Sequence, residues 1–168
     1  AAEDLVDRLS TVERRFERAA VLFSGEPVRA ALRASGKVGT VERVDAVADL
    51  TAGPDDVVAK PETVPFEPAS LDLAVSLLSL HAVNDVPGML VQIRRALRPD
   101  GLFLGAFYGA GTLSELRDSL LAAETELSGG ASVRVSPFAD VRDAGGLLQR
   151  AGFALPVADL EAVTVRYG

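Results

Sequence analysis

A single histidine, His81, and the absence of cysteine narrow the chemistry open to this chain of 168 residues. Without thiols there is no disulfide framework, no zinc knuckle and no thiol nucleophile. One imidazole cannot build a His-based multi-ligand metal site. No Ser-His-Asp set, phosphate-binding loop or metal-ligand spacing is present. His81 reads either as a general base or as a hydrogen-bonded loop residue at a strand end. Asn84 and Asp85 stand just before Pro87, where their side chains suit a helix cap. Arg94, Arg95 and Arg98 read as a solvated helix face whose late positions favour the helix dipole. Tyr108 falls at a strand end, where an aromatic ring either lines a pocket mouth or packs.

The elements that must position these groups belong to one globular domain, expected to span residues 1–168. Apolar residues make up 48% of the chain and charged residues 24%, a globular profile. No apolar run approaches the roughly 20 residues of a membrane span, and the start Ala1-Ala2-Glu3-Asp4 is no signal peptide, so a cytoplasmic location is expected. Lys and Arg number 17 against 24 Asp and Glu, for a net charge of −7. Such a chain repels phosphate backbones, and nucleic acid is not expected as a partner.

Periodicity supplies the order of the elements. Leu5, Leu9, Val12 and Phe16 recur at helical spacing. Ala19 to Phe23 is a short apolar run that reads as a buried strand, ended by Ser24-Gly25. Pro27 suits the first turn of a helix ending near Gly36. Val41 to Leu50 holds a second strand, with Val44, Ala46 and Ala48 on one face, and Asp55 to Ala59 a third. Pro61, Pro65 and Pro68 mark a loop. Leu71 to Leu80 carries the strongest strand signal, followed by a helix from Pro87 to Leu97, a tight turn at Pro99-Asp100-Gly101 and a strand from Leu102 to Tyr108. Thr112 with Glu115 has the spacing of a capping box for a helix to about Leu127, ended by Gly129-Gly130. A last helix runs from Asp140 to Ala151, and Phe153 to Tyr167 reads as two strands.

Strands separated by helices imply a mostly parallel sheet covered on both faces. Ligands of such sheets sit beyond the carboxyl ends of the strands at the switch point. That places candidate site positions at Ser24 to Pro27, Asp49, Ala59 to Glu62, Ser79 to Asp85 and Tyr108 to Thr112.

Four blocks in order carry a family resemblance. They are Ser76-Leu77-Leu78-Ser79-Leu80-His81-Ala82-Val83-Asn84-Asp85-Val86-Pro87, then Arg94 to Phe103, then Thr112 to Arg117. The fourth joins Ser136-Pro137-Phe138 to Leu147-Leu148-Gln149-Arg150-Ala151-Gly152-Phe153. The sequence resembles class I S-adenosylmethionine (SAM)-dependent methyltransferases, in the subgroup of mitochondrial complex I assembly factor 5 and its bacterial relatives. The resemblance implies a Rossmann-like α/β fold with a seven-stranded, mostly parallel sheet of order 3-2-1-4-5-7-6. It implies SAM as cofactor, a cofactor site drawn from Ser24, Gly25, Asp49, Lys60, Glu62 and Ser79, and His81 as a general base near the transferred methyl group. It also implies a respiratory-complex or other protein partner, through which the chain would lie peripheral to a membrane.

The departures from that family are concentrated in the cofactor site. Where the resemblance implies an acidic residue and then Gly-x-Gly-x-Gly, this chain has Val21 and Phe23-Ser24-Gly25-Glu26-Pro27. Glycines let the backbone pass close to a cofactor, whereas Phe23 brings a ring and Pro27 removes a donor. Gly25 reads as a remnant of the loop or as the one glycine any strand-to-helix turn needs. Glu26 brings negative charge near the methionine carboxylate. Asp49, or alternatively Asp45, takes the place of the ribose ligand. Lys60, which cannot accept a hydrogen bond, takes that of the adenine acceptor, with Glu62 two residues on. Two functions follow: a SAM-dependent methyltransferase or SAM-linked hydroxylase, or a protein of that fold that has lost the cofactor and serves as a binding and assembly module. The altered loop favours the second.

Overall fold

The computed structural model describes residues 2–48 and 53–166. Its elements run α1 (Ala2–Ser10), β1 (Phe16–Leu22), α2 (Glu26–Ala34), β2 (Val38–Asp45), β3 (Asp56–Val58), β4 (Leu71–Leu77), α3 (Val86–Ala96), β5 (Leu97–Ala106), α4 (Ser114–Ser128) and α5 (Val141–Arg150). A 3₁₀ turn, Leu80–Ala82, follows β4. The five strands form one parallel sheet in the order β3-β2-β1-β4-β5. The chain therefore builds outward from β1 to β3, crosses back, and resumes at β4 against the other side of β1. The switch point lies between β1 and β4.

Burial explains why these segments are strands. All seven residues of β4 are buried, as expected of a parallel strand covered on both faces. One face packs Phe16, Val21, Leu73 and Val75 with Leu5 and Leu9 of α1 and Val28 and Leu32 of α2. The other packs Leu22, Val44 and Ala74 with Met89, Leu90 and Ile93 of α3. Asp72, also buried, accepts from the Arg18 backbone N–H at 2.9 Å and from the Arg98 guanidinium at 2.9 Å. Burial opposes its ionisation, but those bonds outweigh it and hold the carboxyl below its ordinary range.

Several sequence expectations are corrected. The stripe of α1 ends at Leu9, because Ser10 and Thr11 turn their hydroxyls back to the Asp7 and Arg8 carbonyls. Phe16 then opens β1, its N–H donating to Lys37. β2 stops at Asp45, whose carboxylate accepts from the backbone of Ala46 and Val47 and turns the chain. At Pro99-Asp100-Gly101 the strand β5 bulges instead of breaking, with the register slipping between Leu71 and Leu73. Asp100, and not Gly101, takes the positive φ of 60°. Gly101 is needed for space, since a Cβ there would lie 2.9 Å from the Arg98 carbonyl oxygen. Thr112 forms no capping box; α4 starts at Ser114 behind a left-handed Leu113.

The largest correction concerns the tail. Residues 153–166 form no strand, so β5 is the edge of a five-stranded sheet, not the fifth of seven strands. The alternation through Val163 and Val165 is real, but these side chains are 79% and 65% exposed. Alternation marks a strand only where a neighbouring strand takes its hydrogen bonds and a core takes one face. No helix of the described residues is long and apolar enough to cross a membrane.

Beside α2 lies a buried charge cluster that pattern reading did not reveal. The Asp56 carboxylate, 1% exposed, pairs with the guanidiniums of Arg29 and of Arg43, the latter at 2.9 Å. It also accepts from the Gly53 N–H at 2.8 Å. Burial again opposes the charge, and the bonds from Arg43 and Gly53 with the two nearby cations prevail, so the carboxyl is held low. A group with a lowered folded pKa stabilises the protein above its unfolded value of about 3.9 and loses that contribution as pH falls through the folded one. Urea midpoints should therefore hold steady from pH 7 to about 5 and fall below about pH 4. Asp56→Asn should cost about 3 kcal/mol at neutral pH, because it leaves two buried cations to share the half-exposed Glu26 carboxylate, and should flatten the acid limb in the same titration.

Candidate functional site

The carboxyl ends of β1 and β4 are joined by serine hydroxyls. Ser24 Oγ donates to the Leu22 carbonyl at 2.7 Å and accepts from the Leu77 N–H at 2.7 Å. Ser79 Oγ reaches the Leu22 carbonyl at 3.3 Å and lies 2.6 Å from the Ser76 hydroxyl. Two of the proposed cofactor ligands, Ser24 and Ser79, thus brace the two strands across the switch point.

The loop after β1 follows a glycine-like path with few glycines. Phe23 has φ 52° and Leu78, at the matching end of β4, has φ 55°. A left-handed residue with a Cβ costs roughly 1–2 kcal/mol. The strain is held by the Phe23 N–H donating to Val44 and the Leu78 N–H donating to Ala106, each tying its loop to the next strand. Gly25, at φ 75° and ψ 170°, is the N-cap of α2 without a side-chain cap bond. A Cβ at Gly25 would meet only Pro27, at 3.7 Å, so its backbone angle and not its space selects glycine.

Glu26 does not leave bare charge on this loop. Its carboxylate bridges Arg29 at 2.6 Å and Arg43 at 3.3 Å, completing the cluster around Asp56. Glu62, at φ 65°, ties the loop after β3 to the loop after β4. Its carboxylate accepts from the Asn84 backbone N–H at 2.7 Å, from the Asn84 side-chain amide at 2.8 Å and from the Asp85 N–H at 3.4 Å. The Asn84 bonds lower its pKa. Gln92 adds a second clasp between its side chain and the backbone of Glu62 and Val64. Asp85 caps α3 by accepting from Gly88. Lys60 is exposed just beyond β3. Asp49 lies outside the described residues.

Two clefts open beyond these strand ends. The first, of about 270 Å³, lies over the switch point between Phe23, Pro61, Glu62, Leu78, Ser79 and Met89. The second, of about 210 Å³, lies between the end of β5 and α5. Leu80 and Val83 line both and form the wall between them. At the second cleft three rings converge. His81 and Tyr108 have centroids 4.6 Å apart, Tyr108 and Phe138 5.9 Å, and His81 and Phe138 6.4 Å. An Ala110 N–H donating to Ala139 holds the two loops together there.

The structure thus brings Ser24, Gly25, Glu62 and Ser79 to the switch point and sets His81 on the 3₁₀ turn beside the second cleft. Phe138 is the partner that residue-type reasoning passed over. It belongs to the Ser136-Pro137-Phe138 block, and only the return of the 129–139 loop places its ring opposite Tyr108. Among the described residues no group of three or more His, Asp or Glu is placed to hold a metal ion.

With this geometry in view, residues 24–105 match the family model described as a methyltransferase domain. The chain is 39% identical over 170 residues to the mitochondrial arginine-hydroxylase NDUFAF5 of Homo sapiens, covering 97% of this chain and 49% of that protein. Against the Mus musculus protein of the same name the identity is 50% over 112 residues, 67% of this chain and 33% of that one. A malonyl-[acyl-carrier protein] O-methyltransferase of Gallionella capsiferriformans is 35% identical over 111 residues, 66% of this chain and 36% of that protein. The chain spans a third to about a half of the length of these relatives. Among solved structures, an S-adenosylmethionine-dependent methyltransferase from Mesorhizobium loti superposes with a TM-score of 0.67 at 23% identity, over 92% of this chain and 82% of that one. That likeness shows the fold.

The serine brace makes a prediction that separates its members. Ser24→Ala leaves the Leu77 N–H without its acceptor and should cost about 1–3 kcal/mol in urea unfolding. Ser79→Ala removes the 2.6 Å contact with the buried Ser76 hydroxyl and the long bond to Leu22 but orphans no backbone N–H, and should cost about 1 kcal/mol in the same measurement.

Proposed function

The chain belongs to the class I methyltransferase family, in the branch that holds the arginine-hydroxylase NDUFAF5, and on that premise we propose that it works as a protein-binding module rather than through SAM. The observation that carries this reading is the makeup of the first cleft. SAM presents a ribose diol, an adenine amino group and an amino-acid head, which together call for free acceptors and close backbone approach. The one carboxylate among the described residues lining the cleft, Glu62, already accepts three N–H bonds from Asn84 and Asp85. The walls are side chains of Phe23, Leu78, Ala82, Val83 and Met89. At about 270 Å³ the space falls below the roughly 300–1,000 Å³ usual for ligand pockets. These residues do not fit the cofactor.

The second cleft supplies the binding function. Three rings converge at its mouth, and a cation over an aromatic face gains about 0.5–2 kcal/mol according to how far it is desolvated. An arginine side chain on a partner protein is the ligand we assign to it, in keeping with the name of the NDUFAF5 relatives. His81, exposed on its turn, contributes a ring to this mouth. A respiratory-complex subunit is the kind of partner that the family resemblance suggests.

Two observations favour the alternative, a SAM-dependent methyltransferase or hydroxylase. The negative charge of Glu26 is neutralised by Arg29 and Arg43, and the left-handed Phe23 keeps the backbone on the path a glycine would take. Calorimetric titration decides between them. With SAM or S-adenosylhomocysteine up to 1 mM we expect no heat and no rise in melting temperature, whereas ligand that bound with micromolar affinity would raise it by linkage. Micromolar binding would overturn the module reading. With an arginine-bearing peptide we expect measurable binding, weakened about threefold to tenfold by Tyr108→Ala or Phe138→Ala.

A further inference from the structure

We infer that α4 is a docking rail for a cationic amphipathic helix of the same protein partner. The inference rests on the reading of the aromatic cleft only for the identity of the partner. Its evidence is separate. None of the fifteen residues of α4 is buried. Yet Leu116, Leu120, Ala123 and Leu127 follow one another at spacings of four, three and four, the seam of a helix that packs along another helix. Leu116 is 47% exposed and Leu127 83%. A continuous apolar stripe left open in this way marks an interaction surface.

Charge selects the occupant. α4 carries Glu115, Asp118, Glu124 and Glu126 against one cation, Arg117. At 100° per residue, Glu115 and Glu126 fall on one flank of the stripe and Glu124 on the other. Glu124 already holds Arg134 and the Ser132 N–H. Arg117 lies against its neighbour Asp118. Glu115 and Glu126 have no cation of their own among the described residues. A second copy would set acid against acid across the seam, in a chain whose net charge is already −7. An anionic lipid surface is repelled for the same reason. A helix with a leucine stripe and flanking Lys or Arg matches both the apolar seam and the open carboxylates.

The rail is joined to the cleft through the chain. Tyr108 lies shortly before α4 and Phe138 shortly after it, so both approaches to the helix start from the ring cluster. One polypeptide can therefore lay a basic helix on α4 while its arginine enters the cleft.

The test uses the whole chain and an 18-residue Leu/Lys amphipathic peptide, followed by fluorescence anisotropy. A Leu/Glu peptide of the same pattern and a short arginine peptide serve as comparisons. We expect the Leu/Lys peptide to bind, and Leu116→Ser with Leu120→Ser, or Glu115→Lys with Glu126→Lys, to weaken it at least tenfold. Melting temperatures should not move, since these side chains are outside the core. Tyr108→Ala should leave that affinity unchanged while weakening the arginine peptide. Equal binding of the Leu/Glu peptide, or an affinity untouched by both double variants, would overturn the inference. So would a dimer in sedimentation that Leu116→Ser with Leu120→Ser converts to monomer. Leu/Lys binding with no arginine-peptide binding would refute the cleft reading alone, and the reverse would refute the rail alone.

Discussion

The parallel pairing of β1 with β4 sets the carboxyl ends of two strands side by side at the point where the chain reverses its direction across the sheet. The loops that line both clefts are hung from that junction. Its lower end is fastened by Asp72, which reaches β1 through the Arg18 N–H and β5 through Arg98. Its upper end is fastened by the hydroxyls of Ser24, Ser76 and Ser79. Between the two, β4 is buried on both faces, so nothing short of unfolding can separate the strands. Both clefts open above this fixed edge.

Backbone conformation and side-chain chemistry have separated in the loop after β1. Phe23 and Leu78 adopt left-handed angles that glycine would take without cost, and the structure meets that cost through hydrogen bonds to β2 and β5. The acidic side chain that the loop introduced, Glu26, is drawn to Arg29 and Arg43. The path of the polypeptide is thus one that glycine would take freely, while the groups lining the cleft are mostly apolar. A fold can keep its shape after its site has changed, because shape rests on core packing and on the strand ladder, and neither depends on the side chains at the rim.

The proposed recognition surface lies toward the β5 edge of the sheet. The rings of His81, Tyr108 and Phe138 come from three segments far apart in sequence, and the unburied α4 lies between two of them. The proposed cation-binding mouth and the acidic, leucine-striped helix both suit a basic polypeptide, since each part lacks what such a partner carries.

The order of helices and strands up to α5 was legible because burial imposes periodicity. The unbroken apolar run of Leu71 to Leu77 has no exposed face to serve, and the Leu and Met stripe of α3 has one core to meet. The family followed from blocks of motif, and the place of the site from the alternation of strands with helices. The neutralisation of Glu26 was hidden, because Arg29, Arg43 and Asp56 stand on three elements and no local pattern joins them. The strand pair expected after Phe153 failed for the converse reason. Val163 and Val165 alternate as strand residues do, but a strand exists only where a neighbour accepts its hydrogen bonds. Phe138 was visible as part of a motif and gained a role only when the 129–139 loop brought it to Tyr108. The sequence by itself determined the local periodicities and the residue types available at the strand ends. Tertiary structure alone decided which charges meet, which hydroxyls are spent on backbone and which rings face one another, because those are contacts across distances in sequence that only the closed sheet makes short.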